Sequence, residues 1–280
     1  MKRFSISHLI GVYPLTMMSV FFLAPLGFMV VVSFFERDPL GFYNVAFVWD
    51  NYAKFFSSFY YTISMRSIWS ASLGAILVVL LAFPAMYIIV DMSRRWQLFW
   101  VILLLSLMCL SEVIIGFAWL ILLSENSGIP KLLGWLGLWT DPRSLTPSFG
   151  GMMIGFVTLG FSLVALMFYP QMAQRDRSIE EAALTLGTPP SRVFTKVILP
   201  NFRTSILSSV VTMFVYFLGV FVMPTMLGRP QDWNMTVMIT DKAVGEANMP
   251  LGAALSVIML IFTLVIIGLL LWFSRKEDAA

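Results

Sequence analysis

The sequence predicts an all-α membrane protein with six transmembrane helices and both termini in the cytoplasm. The chain is 59% hydrophobic and only 12% charged, about half the charge of a soluble domain. Apolar runs of about 20 residues, the length that crosses a bilayer, recur six times. Lipid satisfies no backbone hydrogen bond and six tilted strands cannot close a barrel, so these runs must be helices.

The first span covers about residues 9–35. Lys2 and Arg3 give it the basic start of a secretory signal. Its apolar run far exceeds a signal's, however, and no small-residue cleavage site follows, so it is read as a retained helix. The second, about 67–90, carries Ser67, Ala71 and Gly74 at helical spacing. The third, about 98–123, contains Glu112, the acidic residue well inside an apolar run. Gly151, Gly155, Thr158 and Ser162 line one face of the fourth, about 149–171, and Thr212, Tyr216 and Gly219 one face of the fifth, about 204–227. The sixth, about 252–273, opens on Gly252 and Ser256. In the second, fourth and sixth, small residues at these spacings let helices approach closely where lipid removes the hydrophobic drive, whereas the face of the fifth is polar. Pro14, Pro25 and Pro84 are read as tolerated kinks,.

Longer connections at 36–66, 124–148 and 228–251 alternate with 91–97 and 172–203. The N-terminus, 91–97, 172–203 and the C-terminus hold 11 Lys and Arg, the other three connections 7. The richer set is therefore cytoplasmic. The whole chain, 1–280, is expected to form one transmembrane domain.

A net charge of +3 follows from that topological bias, so no nucleic-acid partner is expected. With one cysteine, Cys109, there can be no internal disulfide, and with one histidine, His8, there is no Cys/His cluster at zinc-ligand spacing, which argues against redox and zinc chemistry,. No HExxH, GxSxG or phosphate-binding G-x-x-x-x-G-K-S/T occurs, which argues against an intramembrane hydrolase and against ATP bound by the chain itself.

The cytoplasmic 172–203 segment is the most charged stretch. SIEEAALTLG, from 178, predicts a short helix with Ser178 as N-cap and Glu181 completing a capping box, ended by Gly187,. Thr188 is placed to cap a second helix that starts on prolines and runs to Pro200,. Glutamates beside Ala182, Ala183, Leu184 and Leu186 suit insertion into a partner's cleft better than they suit a headgroup layer, where a large basic face is usual.

Those residues carry a resemblance. Glu181-Ala182-Ala183, then Gly187 four positions on, then Val197-Ile198-Leu199-Pro200 resembles the EAA signature of the membrane subunits of bacterial binding-protein-dependent ABC importers, with valine for isoleucine. DNYAKFF at 50–56, SGIPKLLGWLGL at 127–138, LTPSFGGMMIG at 145–155 and MPLGAALS at 249–256 extend the likeness along the chain. They are most similar to the first of the two permeases of polyamine-type systems. Permeases for ferric iron, thiamine, opines and aminophosphonates share these features.

The resemblance implies a type I importer permease fold in the bacterial inner membrane and half of a pathway for a small solute, most simply putrescine or spermidine. It implies a coupling helix, with Glu180, Glu181, Ala182, Ala183, Leu184, Gly187, Leu199 and Pro200 engaging an ATPase dimer that binds ATP and Mg. It also implies a second homologous permease, a periplasmic solute-binding protein and contact with membrane lipid. The chain itself is expected to hold no cofactor and to be no enzyme. A receptor or scaffold could use the same docking segment without transport.

Cys109, Glu112, Gly116 and Trp119 recur at helical spacing,. This stripe is expected either to border the path, Glu112 drawing in a cation and Trp119 offering a π face, or to fasten the bundle through a paired glutamate. Charged residues at a helix centre cost about 2.5–3.5 kcal/mol, so Glu112 must face protein or water. Tyr216 could line the same path or bond a neighbouring helix.

Overall fold

A computed structural model describes residues 14–39, 41–138 and 143–277. Lys2, Arg3, His8 and the start of the first span lie outside the described residues. Those described form helices and no strand, with a single antiparallel bridge between Glu36 and Asn44.

In chain order the helices are α1 (Pro14–Val32), α2 (Asp50–Phe55), α3 (Ser58–Val90), α4 (Arg94–Met108), α5 (Glu112–Leu122), α6 (Ile129–Trp135) and α7 (Phe149–Ala173). Then follow α8 (Ser178–Thr185), α9 (Pro190–Asn201), α10 (Arg203–Gly219), α11 (Val222–Leu227), α12 (Met235–Thr240) and α13 (Met249–Glu277). Four are long and apolar enough to cross a membrane unaided: α1, α3, α7 and α13. The bent pairs α4–α5 and α9–α10 bring the number of spans to six.

The third and fifth spans differ from the sequence expectation. The third is two helices meeting at 99°. Ser111 is extended (φ −63°, ψ 138°), and its hydroxyl accepts the Val113 N–H at 3.3 Å, starting α5 afresh at Glu112. Glu112 thus sits in a first turn, where its charge suits the helix dipole, and Cys109 belongs to the elbow and not to the stripe. In the fifth, α10 ends at Gly219, and Val220 is extended before α11. Pro224 has no N–H to give the Val220 carbonyl, and Asn234 Nδ2 takes that acceptor at 2.7 Å.

The chain forms two compact units, one of residues up to Thr62 with Met235–Val265, the other of Ile63–Asn234 with Ile266 onward. In the first, the turn after α1 is pinned by α2. Asn51 Nδ2 donates to the Ser33 and Phe35 carbonyls at 3.1 and 2.9 Å, and the Ser33 and Tyr52 hydroxyls are 2.6 Å apart. Gly252 lies against the backbone of Ala243.

The second unit is built on α3, α7 and α10. Phe156 and Phe217 stack at 4.6 Å, and Gly74 lies under both rings, so that a Cβ there would sit 2.9 Å from Phe156. Gly155 packs on Met223 and Leu227, and Gly116 on Met226 and Val222 of α11. The small-residue faces are therefore contact faces, as the spacing predicts.

Candidate functional site

Two regions collect the residues singled out by the sequence, both within the second unit. The first is the cytoplasmic hairpin of α8 and α9. Its start is not capped as the sequence suggests, because Ser178 makes no side-chain cap and no capping box forms with Glu181. Asp176, two residues earlier, accepts the Ser178 N–H at 2.9 Å instead. Hydrogen bonding from the Ser178 side chain, and then from its N–H, holds the exposed Asp176 carboxyl below its ordinary value near 3.8. Thr188 likewise is not the second cap, since α9 begins behind the extended Pro189 with Pro190 in its first turn. Nor does Pro200 end α9, which takes it into its last turn and stops at Asn201 before a 70° bend into α10.

The glycine stop is as expected. Gly187 has φ +81° and donates its N–H to Leu184 O at 2.9 Å, while Thr188 N–H reaches Ala183 O at 3.2 Å. These two bonds satisfy the last carbonyls of α8 in a Schellman turn.

On α8, Glu181, Ala182, Leu184 and Gly187 are exposed and Ala183 is half-buried. Ile179 is 52% and Leu186 85% exposed, an apolar face on a surface that the charge bias assigns to water. Glu180 turns the other way and is 14% exposed. Leu199 lines an apolar groove of about 220 Å³ with Phe83, Pro84 and Ile206, and Pro200 is exposed beside it.

Glu180 is held by residues the sequence reading passed over. Arg175 Nε donates to Glu180 Oε1 at 2.8 Å, and Arg175 Nη2 to both oxygens of Asp91 at 2.7 Å. Tyr87 Oη donates to Glu180 Oε2 at 3.2 Å, and Arg177 reaches Asp91 at 2.9 Å. Burial of the Arg175 guanidinium opposes its charge, but the hydrogen bonds to Asp91 and Glu180 outweigh this and hold its pKa above the ordinary value. The available signal was position. Asp91 and Arg175, opposite in charge, each follow the cytoplasmic end of an apolar run.

The second region lies in the membrane. Tyr216 of α10 donates its hydroxyl to Glu112 Oε1 at 2.8 Å, joining two residues 104 apart in sequence. They line a cavity of about 370 Å³ with Met108, Ser111, Leu159 and Leu163. Thr212 and Gly219, on the face of Tyr216, are exposed. Trp119 is not in this cavity. Its Nε1–H donates to Thr158 Oγ1 at 2.9 Å, whose own hydrogen goes to the Ile154 carbonyl, so the indole ties α5 to α7. The structure thus joins Glu112 to Tyr216 and sets Trp119 apart.

Broken spans, a largely apolar cavity into which Glu112 and Tyr216 open, and an exposed cytoplasmic hairpin are what a membrane permease needs. Residues 92–278 match the family described as the binding-protein-dependent transport system inner membrane component, and the chain belongs to that family. It is thus an inner-membrane permease of a binding-protein-dependent importer.

Among curated proteins, the spermidine/putrescine transport system permease protein PotB of Escherichia coli is 22% identical over 239 residues, covering 85% of this chain and 86% of the relative. The inner membrane ABC transporter permease protein YdcU of Escherichia coli is 29% identical over 243 residues, covering 82% and 75% respectively. Among solved structures, a chain of a bacterial alginate ABC transporter in complex with alginate pentasaccharide-bound periplasmic protein matches with a TM-score of 0.81 at 14% identity. That match covers 97% of this chain and 94% of the other, and so establishes the fold.

Proposed function

We propose that this chain forms half of the translocation pathway of an ATP-driven importer for a small organic cation of the polyamine class. The observation that carries the reading is the exposed apolar face of α8 around Ala182, Leu184 and Leu186, closed by the Gly187 turn. A face of this kind suits a cleft on an ATPase subunit that holds ATP and Mg. A homologous permease would supply the other half of the path, and the whole chain would act as one transmembrane domain.

The cation preference is supported by Glu112, a carboxylate opening on a cavity within the membrane, and by the likeness to PotB. An alkylammonium entering that cavity could take the place of the Tyr216 hydroxyl on Glu112, exchanging a neutral hydrogen bond for a charge-assisted one. Closure of the ATPase dimer would push the α8–α9 hairpin, and α10, which follows it through the bend at Phe202, would reorient the cavity.

The test is uptake of labelled putrescine and spermidine by the complete complex in ATP-loaded proteoliposomes. We expect saturable uptake that Glu112→Gln reduces about tenfold, a typical loss for one charge-assisted contact. Uptake of thiamine, ferric iron, an opine or an aminophosphonate in place of polyamines would overturn the substrate class while leaving the importer reading intact. Absence of any ATPase from the purified complex would overturn the importer reading.

A further inference from the structure

The Arg175 guanidinium is only 4% exposed, although it lies beyond the end of a membrane helix, where water is at hand. Burying a charge costs several kcal/mol unless its hydrogens are paired with good geometry. Around Arg175 the pairing is extensive. Asp91 takes Nη2 with both oxygens, Glu180 takes Nε, and the Met172 carbonyl takes Nη1 at 3.2 Å. The Tyr87 ring lies 4.9 Å from Cζ, within cation–π range. Tyr87 Oη closes the circuit on Glu180.

This circuit joins three elements. Tyr87 is in the last turn of α3 and Asp91 follows that helix, Arg175 follows α7, and Glu180 is in the first turn of α8. Among the described residues, every hydrogen bond or ion pair from an α8 side chain to a membrane-spanning helix or its end passes through Glu180. Otherwise α8 is loosely held. No residue of it is buried, and the chain leaves it through the left-handed Gly187. A force applied to such a helix would swivel it in its loops unless something ties it to the bundle.

We propose that Arg175 is a positioning residue that locks α8 onto the cytoplasmic ends of α3 and α7, so that motion of the docked ATPase is transmitted to both helices. The proposal rests on the reading of α8 as the ATPase-docking helix. Arginine suits the task because its planar fork contacts two carboxylates and an aromatic face at once. A lysine cannot span all three.

The test uses the complete complex in proteoliposomes with the cognate binding protein as purified, and three readings on each preparation: ATPase bound per permease, basal ATP hydrolysis and its stimulation by the binding protein. Arg175→Lys and Asp91→Asn are expected to retain bound ATPase and basal hydrolysis but to lose stimulation about tenfold, within the range of coupling free energies. Tyr87→Phe, which removes one hydrogen bond and keeps the ring, is expected to fall between these and the unaltered chain. Unchanged stimulation in Arg175→Lys and Asp91→Asn would overturn the proposal. So would loss of the membrane-inserted chain in Asp91→Asn, since the circuit would then serve folding and not transmission. If the unaltered chain binds no ATPase, it is the docking reading that fails.

Discussion

Gly187 stands at φ +81° with open space where a Cβ would point, so a larger side chain there meets no clash and suffers only the left-handed backbone. For a β-branched residue that costs about 1–2 kcal/mol or more. Gly187→Val is therefore expected to fray α8 and release the ATPase on purification, whereas Gly187→Asn, which tolerates this region, should retain it. At the other end of α8, Asp176 titrates below its ordinary value near 3.8 because the folded state donates Ser178 to it. A depressed carboxyl adds stability above its unfolded pKa and loses it as the pH falls through the folded one. Protection of the Ser178 amide, taken relative to its intrinsic exchange rate at each pH, should hence hold at neutral pH and fall only below the ordinary value near 3.8, and Asp176→Ala should abolish that dependence. Single residues were legible in the sequence where one property decides them, as with the stop at Gly187. They were illegible where a distant partner decides, as with Tyr216 on Glu112 or Arg175 on Asp91, since no local spacing encodes a contact across 84 or 104 residues.

Helix α7 emerges where hydropathy places it, Phe149–Ala173 against an expected 149–171, because a long uninterrupted apolar run has one way to satisfy its backbone in lipid. The third span misleads for the same reason. A hydropathy window averages composition and is blind to a three-residue break inside it. The Ser111-Glu112 pair, a capping serine with an acid in the following turn, was the local sign that a helix begins there. Packing of α3 on α7 and α10 depends on Gly74 fitting beneath Phe156 and Phe217. Gly74→Ala is expected to cost about 1–3 kcal/mol through displaced rings, seen as a lower thermal aggregation temperature in detergent. Gly27, with open space around it, should accept alanine without change.

Across the whole molecule, the charge bias assigns both termini, 91–97 and 172–203 to the cytoplasm. Single cysteines placed at Gln97 and Leu186 in a Cys109→Ser background should react with an impermeant maleimide only in inside-out vesicles, and one at Gly134 only in right-side-out ones. The reverse pattern would invert the topology. Cys109 itself has a further consequence. It sits at the 99° elbow between α4 and α5, exposed beside Leu110 and Ser111. Each helix end leaves up to four backbone groups without an intrahelical partner, and hydrocarbon can solvate none of them. The carbonyls freed at this corner must therefore be met by packed protein or by a water-lined cavity, and the chain's lone thiol stands beside them.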